Sequence, residues 1–282
     1  MSGKAVALDK GSMAIIANTF EYDGVWYPPF VRPHILDRIR TFEVREDDLI
    51  LSTFSKCGTN WMREIILLVY QDGHVDKVNR DVDPSLCGML ELGHPPDFNK
   101  SVADYVAALP SPRFYYTHLP AQHLPAQVWT KKPKMVYVTR NPKDALTSLY
   151  RFLNANPANT CEVPWRMLFE IFISKKIPFG NWFDQALAYW EHRDDGHVCF
   201  VTYEEMKQTY MQDIRSVIKR LATFLGVTVS SDGLQRIVEH SSLEGMKMTY
   251  AKIEEEVENG KMYTRSQGQI PYLQQGKERI KH

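Results

Sequence analysis

The chain has 282 residues, 44% of them hydrophobic, enough to bury the core of one large α/β domain or two small ones. Lys plus Arg and Asp plus Glu both number 34, and a formal charge of zero argues against a general nucleic-acid binder, so an anionic ligand has to be held by a local cluster. The four cysteines, Cys57, Cys87, Cys161 and Cys199, form no CxxC pair and no Cys/His set with zinc spacing, so they read as reduced thiols of a cytoplasmic protein that holds no metal.

No long apolar core follows the N-terminus, and runs such as "IILLVY" are far too short to cross a bilayer, so no membrane partner is expected. "DLILSTF", Asp48 to Phe54, is a short apolar run that reads as a buried strand. From Thr59 to Tyr70 the period changes: Trp61, Ile65, Leu68 and Val69 fall on one helical face until "QDG" stops it. "SKCGTN", Ser55 to Asn60, is therefore a strand-to-helix turn. A helix N-terminus presents free backbone N–H groups and a partial positive charge. Gly58 lets the backbone approach a ligand, Lys56 adds a full charge, and Thr59 and Asn60 offer side-chain donors. This describes a phosphate or sulfate cradle as well as it describes a capped helix with a surface lysine. It is no Walker A loop, because the lysine precedes the glycine, and that counts against a nucleotide kinase. A thiol at such a turn, Cys57 beside Lys56, is expected to be more acidic and reactive than a free one.

The next strand, "RFYYTHL" from Arg113 to Leu119, carries His118 near its end. Strand ends border the ligand crevice of open α/β sheets, where a neutral imidazole serves as a general base, although a lone histidine more often only packs. "KMVYVTR", Lys134 to Arg140, runs straight into "NPKDALTSLYRFL". Asn141 suits the N-cap, Pro142 the first helical position and Asp144 the positive end of the dipole. Arg140 at the strand end suits a phosphate, with Ser148 two turns into the helix.

"VPWRMLFEIFIS" and "NWFDQALAYWEHR" read as helices and "VCFVTY", Val198 to Tyr203, as a strand. "YMQDIRSVIKRLATFLG" is a long helix ended by Gly226, and Ser230, Ser231 and Asp232 can cap another through about His240. Beyond Lys252 the signal fades, and about 253–282 is expected to be a polar lid or tail. Doubly apolar strands alternating with helices predict an α/β fold: one domain, residues 1–282, with a central parallel sheet flanked by helices.

Taken together, the segments resemble the cytosolic sulfotransferase family, which transfers a sulfonate group from 3′-phosphoadenosine 5′-phosphosulfate (PAPS) and leaves PAP. The resemblance runs from "YDGVWYPPF" (22–30) to "YLQQG" (272–276). "TFSKCGTNW" is similar to the family's 5′-phosphosulfate loop, TYPKSGTTW; "THLP" to its catalytic histidine segment; "VYVTRNPKDALTSLYRF" to its 3′-phosphate segment. "FGNWFDQALAYWEHR" and "VTYEEMK" match two further stretches. The resemblance implies a P-loop-like nucleotide-binding fold and in-line transfer to a hydroxyl or amine of a small molecule, without a metal. His118 would be the general base, and Lys56 would stabilise the leaving phosphate. Lys56, Cys57, Gly58, Thr59 and Asn60 would surround the 5′-phosphate, Trp61 would stack on adenine, and Arg140 and Ser148 would bind the 3′-phosphate. Tyr203, Ser241 and Leu243 would lie along the nucleoside, with Gln274, Gln275 and Gly276 as a clamp, and Phe152, Tyr116 and Met89 would line the acceptor pocket.

Departures from the family pattern are also present. Ser55 and Cys57 stand for a proline and a serine, Tyr116 for a lysine that helps hold the sulfonate, and Gln274 and Gln275 for an arginine and a lysine. "HSSL" (240–243) stands for HTSF, removing an aromatic at Leu243, and no dimer segment follows Gly276, so a monomer is expected. These departures keep open an alternative: a protein of this fold that binds PAP or PAPS with little or no activity.

Overall fold

The structure is a computed structural model that describes residues 19–78, 89–93, 101–155, 163–207 and 213–258, with the backbone alone for 253–258. β1 (Phe20–Tyr22) and β2 (Val25–Tyr27) form an antiparallel hairpin. Its turn takes positive φ at Asp23 and Gly24, 49° and 77°. α1 (Pro33–Arg40) starts with its proline and buries Ile35, Leu36 and Ile39. β3 (Leu49–Thr53), buried at every residue, leads into α2 (Thr59–Tyr70), as its apolar run and the change of period predict. α3 (Val102–Ala108) is capped by Ser101, which accepts from the Asp104 N–H.

β4 (Phe114–Thr117) is shorter than its apolar run, and α4 (Gln127–Lys131) separates it from β5 (Lys134–Thr139). α5 (Pro142–Ala155) follows at once, with Asn141 Oδ1 accepting from the Lys143 N–H at 3.0 Å, the cap its sequence predicts. α6 (Trp165–Ile173), α7 (Trp182–Trp190) and β6 (Val198–Thr202) fall where expected. α8 (Tyr203–Met206) opens on a capping box between Thr202 and Glu205. α9 (Ile214–Leu225) begins after Asp213, whose side chain caps it, and ends at left-handed Gly226. Ser230 caps α10 (Ser231–His240). α11 (Leu243–Glu258) carries the chain on, so the first residues of the polar segment expected from about 253 are helical. No described helix is long and apolar enough to cross a membrane.

The four longer strands form one parallel sheet in the order β4-β3-β5-β6. From β3 the chain adds β4 on one side and then β5 on the other, so the order reverses between β3 and β5. In such sheets the ligand crevice opens at the carboxyl ends of the strands beside that reversal. Here those ends are Thr53, Thr117, Thr139 and Thr202.

One apolar cluster surrounds the sheet and includes Ile50, Leu51, Ile65 and Val136; a second, with Phe54, Cys57, Leu146, Leu149, Leu168 and Phe172, packs α5 and α6 against the β3–α2 turn. Each fully buried aliphatic contributes about 1.5–3 kcal/mol. The far ends of β3 and β4 are tied by Asp48 and Arg113, a buried pair at 2.6 Å whose guanidinium also donates to the Glu43 carbonyl.

Candidate active site

The β3–α2 turn has two left-handed residues, Lys56 (φ 67°) and Gly58 (φ 103°), on either side of Cys57. A Cβ at Gly58 would lie 2.8 Å from the Tyr203 ring, so glycine is needed for space as well as for conformation. No side chain caps α2, and its first turn carries no acidic residue. Its leading N–H groups therefore keep their positive potential.

Around this turn the aromatic faces hold cations. The Lys56 ammonium lies 4.1 Å from the Phe152 ring centroid. Burial first, then the positive charge of Arg140, pulls Lys56 down to about 8. Arg140, just beyond β5, donates from Nη1 to the Lys56 carbonyl at 3.2 Å and lays its guanidinium 4.1 Å from the Tyr203 ring centroid. Tyr203 in turn meets Trp61 edge-on at 5.3 Å. Ser148, half-buried, is one turn before Phe152 on α5 and so shares its face. Lys56, Gly58, Trp61, Arg140, Phe152 and Tyr203 thus form one contiguous group, assembled from the ends of β3, β5 and β6.

His118 follows β4. Its Nδ1 is 2.7 Å from the Thr53 carbonyl oxygen, which can only accept, so Nδ1 carries the proton and Nε2 keeps its lone pair. Nδ1 is also 3.0 Å from Thr53 Oγ1, which is 2.6 Å from Thr59 Oγ1, so hydroxyls link the ring to the start of α2. Burial is the main influence on the ring and Lys56 adds to it, pulling His118 down to about 4 against the opposing Thr53 carbonyl. Phe179 packs edge-on at 5.4 Å. A neutral imidazole with a free Nε2, in a site bearing two cations and a helix N-terminus, can accept a proton while the cations stabilise a developing anion.

The remaining candidates divide. Cys57 corrects the expectation of an acidic, reactive thiol: its side chain is fully buried in the second apolar cluster, and burial pushes it up to about 12. Desolvation outweighs the favourable charge of Arg140, and the Cys57 N–H is already donated to the Phe54 carbonyl. Asn60 is exposed on the first turn of α2. Ser241 is fully buried at the end of α10, and Leu243, 61% exposed, opens α11. Tyr116 and Met89 are buried and bridged to each other, with the Arg63 guanidinium 5.6 Å from the Tyr116 ring centroid. Gln274, Gln275 and Gly276 lie outside the described residues. Among the described residues no three His, Cys, Asp or Glu side chains cluster as metal ligands would.

The sequence reading missed Glu91, Gln185 and Phe179, all in contact with His118. Only Glu91 left a signal, a single acid inside the apolar run "MLEL".

A family model described as the sulfotransferase domain matches residues 46–279. Sulfotransferase 1B1 of Mus musculus is 38% identical over 211 residues, 75% of this chain and 69% of that relative. Sulfotransferase 1C2 of Rattus norvegicus is 36% identical over 210 residues, 74% of this chain and 69% of that relative. A crystal structure of mouse sulfotransferase SULT7A1 complexed with PAP matches with a TM-score of 0.68 at 29% identity, covering 81% of this chain and 76% of that one. A retinol dehydratase in complex with retinol and PAP reaches a TM-score of 0.71 at 22% identity over 86% of this chain and 79% of that one, a likeness of fold.

Proposed function

The chain belongs to the sulfotransferase family, and from that premise we propose that it moves a sulfonate group from PAPS to a hydroxyl or amine of a small-molecule acceptor, in the cytoplasm. His118 is the general base in this reading, and Lys56 stabilises the leaving phosphate. One observation carries it: the carboxyl ends of all four parallel strands deliver Lys56, His118, Arg140 and Tyr203 to the same edge of the sheet.

The residues fit the nucleotide. Gly58 leaves no room for a Cβ under Tyr203, and the start of α2 is free of any side-chain cap. Trp61 Nε1, Arg140 Nε and Ser241 Oγ are buried polar atoms without a hydrogen-bond partner among the described residues, as groups awaiting a polar ligand would be. Lys56, Thr59 and the first N–H groups of α2 would hold the 5′-phosphate, Arg140 and Ser148 the 3′-phosphate, and Trp61 and Tyr203 the adenosine. When bound, PAPS supplies the sulfonate group and a phosphate leaving group.

The chain's own residues do the rest. Nε2 of His118 takes the acceptor's proton, and the Nδ1–H bond to Thr53 fixes the ring and supports the imidazolium as it forms. Lys56 and the α2 terminus stabilise the charge that develops on the leaving oxygen. Phe179 packs against the His118 ring and Phe152 against the Lys56 ammonium, apolar faces that shield both groups from water.

Tyr116 favours a second reading, a nucleotide-binding protein with little turnover, because an uncharged ring stands beside His118, 6.3 Å between centroids. Labelled PAPS with a panel of phenols, steroids, alcohols and amines separates the two. Transfer to any acceptor supports the enzyme, and PAP binding without transfer across the panel supports the second reading. Neither binding nor transfer sinks both.

A further inference from the structure

Glu91 is a fully buried carboxylate outside the group described above. It belongs to the segment 89–93, which runs beside β4: Met89 pairs with Tyr116, and the Leu90 N–H donates to the Tyr116 carbonyl at 2.9 Å. Oε1 accepts from the His118 N–H at 2.6 Å, and Oε2 accepts from Thr117 Oγ1 at 2.8 Å. Thr117 Oγ1 accepts in turn from the Leu119 N–H at 3.0 Å. One carboxylate therefore holds three consecutive residues.

The peptide on the far side of His118 is held as well, since Gln185 Nε2 donates to the carbonyls of His118 and Leu119, both at 3.1 Å. β4 ends at Thr117, so the His118 N–H lies beyond the strand ladder and needs an acceptor of its own. Two donors converge on Glu91 from one side. A carboxylate accepts at both oxygens, whereas a carboxamide of the same shape accepts at one and must donate at the other.

We propose that Glu91 is a positioning residue for the base: its carboxylate anchors residues 117–119 so that Nδ1–H of His118 meets the Thr53 carbonyl and Nε2 faces the acceptor. Through Met89 the same segment ties that anchor to the acceptor side of the site. The proposal rests on the reading of His118 as the base.

Anchoring of this kind depends on pH. Burial, opposed by the bonds from His118 and Thr117, pushes Glu91 up to about 7, whereas His118 stays near 4. The other titratable groups around Glu91 are Tyr27 of β2 and Tyr189 of α7, both raised mainly by burial and further by the Glu91 charge, with Lys56 beyond the His118 ring. None of those three loses or gains a proton between pH 5 and 7. Protonation of Glu91 removes an acceptor as pH falls through about 7, so the acid limb of turnover belongs to Glu91 rather than to the base.

Two variants and two readouts test this. Glu91→Gln is expected to lower kcat roughly 10- to 100-fold, the scale of a misplaced catalytic group, with PAP affinity kept within about twofold. Its acid limb should leave the region of pH 7. Thr117→Val removes one donor to the carboxylate, so its acid limb should move to higher pH. If Glu91→Gln does not fold, the direction of the Thr117→Val shift decides. The second readout needs no turnover: the ¹⁵N resonance of His118 Nε2 in the ligand-free protein should inflect near pH 7 in the wild type, higher in Thr117→Val, and not at all in Glu91→Gln. A wild type that transfers sulfonate to no acceptor sinks the functional reading and leaves the resonance to be read. Folded variants whose acid limb and inflection match the wild type overturn the role of Glu91, whether or not transfer occurs.

Discussion

Lys56 exchanges hydration for the face of Phe152, and with Arg140 nearby its ammonium is held at about 8. A bound phosphate dianion reverses that balance by favouring the charged form. The sign is definite: the ligand binds the protonated lysine, so binding takes up protons near pH 8–9, and PAP affinity falls as pH rises above about 8, by about tenfold per pH unit until the lysine of the complex itself titrates. Calorimetry in two buffers of different ionisation enthalpy measures the uptake; its absence at pH 8.5 removes Lys56 from the phosphate. Substitution separates the two catalytic candidates. His118→Ala is expected to cost roughly 10²- to 10⁴-fold in kcat with PAP affinity nearly intact. Lys56→Ala should lower both turnover and PAP affinity, because the proposed reading sets its ammonium against the leaving phosphate. Turnover near wild type in His118→Ala, or unchanged PAP binding in Lys56→Ala, contradicts the assigned roles.

The turn between β3 and α2 matters as an element because its backbone brings the other parts together. Gly58 takes φ 103°, and any Cβ there runs into the Tyr203 ring. Gly58→Ala therefore meets both a backbone penalty of about 1–3 kcal/mol and a displaced Tyr203, on which the Trp61 and Arg140 contacts depend. Lower stability in denaturant titration and PAP affinity weakened at least tenfold are expected. A variant that binds PAP as wild type does would show that the packing of Tyr203 over Gly58 is not needed for the ligand. The other elements were legible where their signals are local. Asn141, Gly226 and Ser230 start α5, stop α9 and start α10 through bonds to residues within a turn or so of themselves, whereas the Asp213 cap that starts α9 went unread. The three-residue strands β1 and β2 and the short helices α3 and α4 carry too few residues to show a period, and α11 buries only scattered positions such as Met246 and Tyr250.

For the whole molecule, the decisive feature is strand order. With β3 and β5 adjacent, Arg140 reaches the Lys56 carbonyl across the reversal point, although 84 residues separate them. A ligand seated there joins β3, β5 and β6 and should stabilise the fold as one unit. PAP at 100 times its dissociation constant is expected to add about 2.7 kcal/mol, and melting temperature should rise by about 2 °C per kcal/mol in a chain of this length. Arg140→Ala should lose most of that rise. An equal rise in this variant, at concentrations matched to the wild-type affinity, would place the 3′-phosphate away from Arg140.

The sequence by itself determined the α/β class, the parallel strands and the strand-to-helix turns, because apolar period, caps and glycines act over a few residues. It also marked His118 and Arg140, each directly after a strand, and Lys56 and Gly58, in the turn that carries β3 into α2. Tertiary structure alone decided which way the intervening side chains face. Cys57 looked like part of the cradle, but left-handed residues on both sides turn it into the apolar cluster, where dehydration makes its thiol harder to ionise. Glu91 was only an acid inside the apolar run "MLEL", and the pairing of Met89 with Tyr116 is what brings its carboxylate to the backbone of His118. Both outcomes depend on desolvation and on contacts between segments far apart in the chain, which no local pattern encodes.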